Sequence, residues 1–317
     1  MSNTRLPFIR SIAADLTGWS FFLCTQKDVR AGRNGDLFIS LSLQDRTGLI
    51  KGRIFNEAAR LREEFDAGEF VKVQGRTDLF NGRVQLLIEK IRRVNPDQDA
   101  TQGFREDDCV LSSARPVDEM WSELEEMIQH VRDPFVRELL QRIITEHAEK
   151  LKIWPAAQTV HHAYRSGFLE HVLSVARSAL VLGTAYGANR DLLTAGALLH
   201  DIGKLEELQY DRSTIYTREG NLVGHVTLGA MMVRAAMSSI PEFPDVLRTQ
   251  IEHLIVSHHG HKEFGAPVEP MTIEAMILSA ADDLDAKINQ VKQALAEEGE
   301  GEFTAYQPRL GRVLWRG

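Results

Sequence analysis

Seven histidine and aspartate side chains in the second half of the 317-residue sequence carry its clearest chemical signal. They form an isolated histidine, a His-Asp pair, another histidine, a His-His pair and a later aspartate: His171, His200, Asp201, His225, His258, His259 and Asp282. Imidazole nitrogens and carboxylate oxygens together suit Mn²⁺, Fe²⁺, Co²⁺ or Zn²⁺. Seven ligands are too many for one ion but suit two, and the two oxygens of Asp201 could bridge them. We therefore expect a centre with two divalent metal ions.

Two such ions about 3.5–4 Å apart are suited to the hydrolysis of phosphodiester bonds. They clamp the phosphodiester, generate a hydroxide nucleophile and stabilise the leaving oxygen. Asp201 is the expected catalytic bridge between them. Lys204 follows it by three residues and is placed to contact a phosphate or to aid protonation of the leaving group. The alternative for Lys204 is a solvated surface lysine.

Helices must position these residues, because the apolar pattern after Pro116 has helical spacing almost to the end of the sequence. Several of the seven residues fall at or near expected helix ends, from which side chains can converge on one cleft. A small hairpin around 214–222 is the main strand signal in this half. The expected helices cover about 117–131, 134–150, 167–184, 190–202, 225–239, 245–258 and 271–297.

The first part of the chain is different, because its apolar residues alternate with the period of a β-strand. Strands are expected at about 19–30, 36–45, 49–55, 69–80 and 83–92, with a short helix at about 56–65 after the third strand. This order is typical of a five-stranded OB-type barrel. The expected organisation is multidomain: an all-β OB-type barrel over 1–95, a polar linker over 96–115 and an all-α helical bundle over 116–317.

Two aromatic and two basic residues fall on the polar face of the second and third expected strands. They are Phe38, Lys51, Arg53 and Phe55. OB folds bind single strands with a basic groove and stacked aromatic rings, so these four are candidate substrate-binding residues. The alternative is that Phe38 or Phe55 packs against the helical domain. The interpretation depends on strand phase, since a shift of one residue would turn these side chains inward.

Charge is distributed unevenly along the chain, whose net charge is -8. Residues 1–95 carry 16 Lys+Arg and 11 Asp+Glu, a net of +5, whereas the remainder carries 21 and 34, a net of -13. A basic first domain favours a nucleic-acid partner, and bound cations could offset the acidic second one.

The two cysteines exclude a disulfide framework and a cysteine-rich zinc site. We expect no apolar run of about 18 residues, no membrane partner and a cytoplasmic location.

Five segments of the second half together resemble one protein family: HHAYRSGFLEHV, LLHDIGKLEEL, YTREGNLVGHV, VSHHGHKEFGAP and ADDLDAK. The chain resembles the HD-domain metal-dependent phosphohydrolases, in which the motif order H…HD…D corresponds here to His171, His200-Asp201 and Asp282. His225 and His258-His259 resemble the ligands of the dinuclear branch. Within this superfamily the chain is similar to the YhaM-type 3′→5′ exoribonucleases of bacteria, in which an OB-type domain precedes the HD domain.

The resemblance implies a specific activity. It implies an HD domain over 116–317 that hydrolyses single-stranded RNA from the 3′ end to nucleoside 5′-monophosphates, with single-stranded DNA as a second substrate left open. It also implies Mn²⁺ or Co²⁺ as the metal, and the ligand set alone equally admits Fe²⁺ or Zn²⁺. The direction of digestion follows from the resemblance only.

Four further residues near the ligands are candidates for contact with a phosphate or a base: His161, His162, Arg165 and Lys262. A structural role, such as capping a helix, is the alternative for each. Two other functions stay open, namely an HD-type nucleotide or cyclic-nucleotide phosphohydrolase, and a non-catalytic single-strand-binding protein with a structural HD domain. The long helix near 271–297 and the aromatic residues of 302–317 could support a homo-oligomer.

Overall fold

The computed structural model describes residues 4–31, 36–157, 162–210, 214–296 and 301–317. The chain divides into two compact units, Met1–Ala114 and Arg115–Gly317. The first is built on strands and the second on helices, so the expected multidomain fold class is confirmed.

The first unit is a closed five-stranded barrel with the strand order β1-β2-β3-β5-β4. Neighbouring strands are antiparallel except for β3 and β5, which are parallel. The short helix α1 lies between β3 and β4, as the sequence predicts for an OB-type fold. The elements are β1 Thr17–Ala31, β2 Leu37–Asp45, β3 Gly48–Ile54, α1 Ala58–Leu61, β4 Phe70–Phe80 and β5 Arg83–Arg93.

Strand phase in β2 and β3 follows the alternation of the sequence. Ile39, Leu41 and Leu43 are buried in the barrel core, whereas Phe38 on the same strand is only half-buried. Asn81 joins β4 to β5 with a φ of 51°, and Gly82 follows with a φ of 76°. Both values lie in the left-handed region that a tight two-residue hairpin requires.

The segment 96–115, predicted to be a linker, instead folds against the barrel. The side chain of Asp99 is fully buried and accepts two hydrogen bonds of 2.7 Å from the guanidinium of Arg92. Phe104 and Cys109 are buried in a second apolar cluster on the barrel. The few apolar residues of this polar stretch therefore suffice to attach it, because each meets a partner that lies far away in the sequence.

Up to Ala296, the described residues of the second unit are mainly helical and include one small hairpin, whereas residues 301–317 are non-helical. The strands β6 (Leu208–Tyr210) and β7 (Thr214–Tyr216) form this hairpin slightly earlier than predicted, and a helix occupies Arg218–Val223 instead. The helices are α2 Pro96–Ala100 in the first unit, then α3 Val117–Gln129, α4 Pro134–Glu146, α5 Ala148–Ile153, α6 Gly167–Tyr186, α7 Arg190–Leu199, α8 Lys204–Glu207, α9 Arg218–Val223, α10 His225–Ser238, α11 Asp245–Ser257 and α12 Ile273–Ala296.

Helix α6 runs through the core of this unit. Its 20 residues reach a mean hydropathy of 1.2 over an 18-residue window, so by length and composition it could cross a membrane. Glu170 and Arg177 interrupt its apolar residues, so the helix is not the continuous apolar run that the sequence analysis considered. The apolar residues serve the helical core, in which Phe168, Leu169 and Leu173 are fully buried, and core helices pass the same test.

Candidate metal centre

The helix ends of the second unit bring all seven predicted ligands to one place. His171 lies in the second turn of α6, and Asp282 lies in the middle of α12. The other five lie at or just beyond helix ends: His200 and Asp201 after α7, His225 at the start of α10, and His258 and His259 after α11. The backbone turns away from the helix direction at a helix end, so these five side chains can approach His171 on α6 and Asp282 on α12.

Four of these residues form a first group around the Nε2 atom of His171. This atom lies 3.3 Å from His200 Nε2, 3.3 Å from Asp282 Oδ1 and 3.4 Å from Asp201 Oδ2. His171 and His200 are fully buried. Two nitrogens and two carboxylate oxygens thus converge on a space that suits one divalent cation.

A second group forms on the other side of Asp201. The Oδ1 atom of Asp201 lies 3.4 Å from His225 Nε2 and 3.6 Å from His258 Nε2. His225 Nε2 lies 3.3 Å from His259 Nε2. Because Oδ2 of Asp201 faces the first group and Oδ1 faces the second, this one carboxylate is shared between two candidate metal sites.

In four of the five histidines, the ring nitrogen that faces away from the centre is engaged in the same kind of contact. In each, Nδ1 lies within hydrogen-bond distance of an oxygen, to which it donates, so that the lone pair of Nε2 faces the centre. Such contacts fix the tautomer and ring orientation of metal-binding histidines. The partners are Asp285 for His171 (2.8 Å), Ala197 O for His200 (3.0 Å), Glu207 for His225 (3.0 Å) and Ile255 O for His258 (2.7 Å).

Two ring nitrogens of the centre have no hydrogen-bond partner among the described residues: His258 Nε2, which faces the ligand groups, and His259 Nδ1, on the other side of its ring from the nitrogen near His225. Both atoms are buried. An unsatisfied buried polar atom of this kind costs about 1–3 kcal/mol, which coordination to a cation would offset at His258 Nε2. The orphaned nitrogen of His258 and the mixed nitrogen and oxygen donors fit divalent metals at both groups.

The acids of the centre are held in their ionised form. Burial alone would raise the pKa of Asp201, but Lys204, His200 and His171 together hold this pKa well below its usual range. Burial would likewise raise the pKa of Asp282, and the hydrogen bond from His171 with the charges of the histidines lowers it strongly. Both carboxylates are therefore in the charge state that metal ligands require.

Two histidines of the second group, His258 and His259, are held neutral. Burial lowers the pKa of His258. Burial, with His258 and His225 nearby, lowers the pKa of His259 to about 4. Neutral imidazole is the form that binds metals, so these two side chains could bind a cation near pH 7 without losing a proton.

Lys204 forms an ion pair with the shared carboxylate of Asp201. Its Nζ is 2.6 Å from Asp201 Oδ2, and its side chain is almost fully buried. Burial would lower the pKa of Lys204, but Asp201 outweighs this effect and raises it. The alternative of a solvated surface lysine is therefore wrong, since Lys204 is a buried cation at the centre.

A chain of hydrogen bonds behind His171 was not predicted. Asp285 Oδ2 accepts from His171 Nδ1 at 2.8 Å and lies 3.0 Å from His162 Nε2. The other ring nitrogen of His162 lies 2.9 Å from the hydroxyl of Tyr164, which donates to Glu170 at 2.8 Å. The signal for Asp285 was present in the sequence, because it follows Asp282 by three residues and so shares its helix face.

The other predicted contact residues near the ligands are dispersed. His162 is buried, and its two ring nitrogens lie against Asp285 and Tyr164, so neither is free to contact a substrate. Arg165 is half-buried, and Lys262 is exposed in a single 3₁₀ turn. His161 lies outside the described residues.

A cavity of about 410 Å³ opens onto the centre. Asp201, Lys204 and Asp282 line it together with the second group of histidines. Two aromatic residues that the sequence analysis did not select, Tyr216 and Phe264, also line this cavity. The centre is therefore accessible to a small group, such as one nucleotide, from one side.

In the barrel unit, the four predicted substrate-binding residues lie together on the outer face of β2 and β3. The rings of Phe38 and Phe55 are 5.9 Å apart, and Phe55 is 57% exposed. On the same face, Lys51 and Arg53 lie opposite Ser42 and Ser40 of β2. The guanidinium of Arg53 is 5.3 Å from the ring of Phe80, which adds an aromatic residue missed in the sequence.

The fold and the centre define a class of protein. The HD domain family matches residues 168–287, and the OB-fold nucleic acid binding domain family matches residues 24–94. An HD domain with this ligand set, preceded by an OB barrel, is a metal-dependent phosphohydrolase with a nucleic-acid-binding domain. The second OB-fold domain of replication protein A from Methanococcus maripaludis is 22% identical, with a TM-score of 0.25, and the match covers 29% of this chain and 96% of that domain.

The relatives narrow the class to one family. The chain is 34% identical over 273 residues to the 3′-5′ exoribonuclease YhaM of Bacillus subtilis (strain 168), covering 86% of this chain and 85% of the relative. It is 33% identical over 286 residues to the enzyme of the same name from Bacillus velezensis, covering 90% and 89%. The chain belongs to the YhaM family of 3′-5′ exoribonucleases.

Proposed function

We propose that this protein is a metal-dependent exoribonuclease that removes nucleotides from the 3′ end of single-stranded RNA. The observation that carries this proposal is the position of Asp201, whose two oxygens face two separate groups of histidines. Two cation sites that share a carboxylate lie close together, as phosphodiester hydrolysis by paired metals requires. The family relationship supports the substrate and the direction.

The residues present would hold two divalent cations. His171, His200, Asp201 and Asp282 would hold one, and Asp201, His225, His258 and His259 would hold the other. When bound, such a pair supplies Lewis-acid stabilisation of the phosphoryl oxygens and activates water as the nucleophile. We propose Mn²⁺ on the basis of the family resemblance, while the donor set also admits Co²⁺, Fe²⁺ or Zn²⁺.

The protein's own residues supply orientation and a proton. Asp285 and Glu207 hold the rings of His171 and His225 in the orientation that turns Nε2 to the centre. Lys204 is a protonated side chain that lines the cavity, so it is placed to contact the scissile phosphate and to donate a proton to the leaving 3′ oxygen. The products would be a nucleoside 5′-monophosphate and a shortened strand.

The barrel would hold the single strand. Phe38 and Phe55 offer stacking surfaces, and Lys51 and Arg53 offer charges for the phosphates. Base stacking on aromatic side chains tolerates any sequence, which suits an enzyme that degrades a strand progressively from its end.

Digestion of a defined oligomer tests this proposal. A 5′-labelled single-stranded RNA incubated with the protein and Mn²⁺ should give a ladder that shortens from the 3′ end, with nucleoside 5′-monophosphates as products. A chelator should stop the reaction, and parallel reactions with DNA, a dNTP and a cyclic dinucleotide define the substrate class. Turnover of the small molecules alone would instead indicate a nucleotide phosphohydrolase, and no turnover with metal bound would indicate a binding protein.

We also propose a cytoplasmic location and self-association. Both cysteines are free and buried, which supports a reducing compartment.

Met276, Leu284 and Ile288 are exposed apolar residues of α12, which supports contact with a second copy. Light scattering of the purified protein at several concentrations measures the mass, and a monomer throughout would contradict self-association.

A further inference from the structure

The cavity at the metal centre has apolar walls beyond the ligands. Ala156, Ala157, Leu208 and Ala286 line it, and its volume of about 410 Å³ lies at the lower end of the range of about 300–1,000 Å³ typical of small-molecule sites. A site of this size accommodates a single nucleotide more readily than a length of strand. This agrees with an enzyme that takes one terminal nucleotide at a time.

Two aromatic residues line the same cavity and remain unusually exposed. Tyr216, the last residue of β7, is 46% exposed, and Phe264 is 65% exposed. Phe264 ends a 3₁₀ turn, and Gly265 after it has a φ of 95°. The ring of His261 contacts Phe264 edge to face at 5.8 Å and supports it from within the same turn.

Phe264 also borders a neighbouring cavity. This second cavity measures about 510 Å³ and shares His259, Ser279 and Asp283 with the first. An aromatic ring that lines two adjoining cavities and leaves most of its surface open has room for a flat partner. Its position beside the ligand His259 keeps such a partner close to the scissile phosphate.

The charged groups of the first cavity are already engaged. Asp201 holds Lys204 at 2.6 Å, and Asp283 holds Lys287 at 2.6 Å. The remaining acids and histidines there face the metal centre or one another. Stacking on the aromatic walls is therefore the main interaction that the cavity offers to a base, and stacking does not distinguish one base from another.

We propose that Phe264, with Tyr216, forms the stacking subsite for the base of the 3′-terminal nucleotide. This inference rests on the proposed function, because it places the terminal nucleoside beyond the scissile phosphate. The subsite would bind any of the four bases. It would position the last phosphodiester at the centre by holding the nucleoside on its far side.

Calorimetric titration of the Mn²⁺-loaded full chain with AMP and with ribose 5-phosphate tests the subsite directly, since only AMP carries a base. The wild type should bind AMP more tightly by about 5- to 150-fold, the range expected for one stacked base. Phe264→Ala should remove most of this preference and leave the affinity for ribose 5-phosphate unchanged. Phe264→Trp should retain it, and Tyr216→Ala should reduce it.

Tyr186→Ala is the matched control, because Tyr186 is a 68% exposed aromatic residue at the end of α6 and does not line either cavity. Metal content and circular dichroism confirm that each variant is folded. A preference for AMP that survives Phe264→Ala, or that Phe55→Ala abolishes instead, would overturn the proposal. Failure of the wild type to degrade RNA while it retains the preference would contradict the proposed function and leave the subsite intact.

Discussion

The carboxylate of Asp285 lies 2.8 Å from Nδ1 of His171, on the opposite side of the ring from the nitrogen that faces Asp201. Asp285 in turn lies 3.0 Å from His162, which is buried. A carboxylate behind a metal-binding histidine fixes the ring and increases the basicity of its ligand nitrogen. The geometry of the first candidate metal site therefore depends on residues outside its ligand group.

Replacing Asp285 should weaken metal binding. Asp285→Ala removes the acceptor of His171, and the loss of such a partner costs about 10- to 100-fold in metal affinity. Calorimetric titration of the metal-free protein with Mn²⁺ measures this change in metal affinity. Asp245→Ala is the control, since Asp245 is an exposed carboxylate of the same unit that pairs with Arg248 and lines neither cavity. Equal Mn²⁺ affinity in wild type and Asp285→Ala would show that His171 is oriented without Asp285.

Asp201→Ala should disrupt both metal sites, whereas Asp282→Ala should disrupt one. Asp201 contributes an oxygen to each group, and Asp282 contributes to the group of His171 alone. Metal analysis after dialysis should therefore give about two ions per chain in the wild type, about one in Asp282→Ala and fewer than one in Asp201→Ala. RNA hydrolysis should be lost in Asp201→Ala, while oligomer binding by the barrel stays within about twofold. Normal turnover by Asp201→Ala would refute the site.

Phe55→Ala should weaken binding of single-stranded RNA without changing metal content. Phe55 is 57% exposed beside Phe38, and one stacked base contributes about 1–3 kcal/mol, so affinity should fall by about 5- to 150-fold. Fluorescence anisotropy with a labelled oligomer in the presence of a chelator measures binding without hydrolysis. Val29→Ala on β1 is the control, because Val29 is 44% exposed but is paired with the core residue Ile39, so it lies on the opposite strand face from Phe38. Equal RNA affinities of the wild type, Phe55→Ala and Val29→Ala would show that the RNA binds at another surface.

Asp99→Asn should destabilise the barrel in a pH-dependent manner. The hydrogen bonds from Arg92 lower the pKa of the buried Asp99 carboxyl below its ordinary value of 3.8. The stabilisation is therefore fully present above the unfolded pKa and is lost as the pH falls through the lower folded-state pKa.

At pH 7 the substitution should cost about 1.5–3 kcal/mol, and the difference from the wild type should shrink as the pH falls below about 3.8. Urea unfolding, monitored by the hydrogen exchange of β4 and β5, measures the stability of the barrel separately from that of the helical unit. A difference that is the same at pH 7 and pH 3 would contradict this account.

The sequence predicted the strands of the barrel and the larger helices because period-two and helical apolar patterns are local properties. The strand phase that exposes Phe38 and Phe55 was also correct, since alternation alone decides which residues of β2 face the core. The linker prediction for 96–115 differs from the structure for the opposite reason. Asp99 and Phe104 are held by Arg92 and by the second apolar cluster, and such contacts leave no periodic signal in a polar segment.

By itself, the sequence determined which seven residues are candidate ligands and their order along the helices, because few residue types bind these metals and they stand out in apolar segments. Only the tertiary structure decided that Asp201 divides its oxygens between two groups, that His162 contacts Asp285, and that Phe264 borders the cavity. These relationships depend on distances between helices that are far apart in the chain. A linear pattern does not encode such distances, since they arise from how the helices pack around the core.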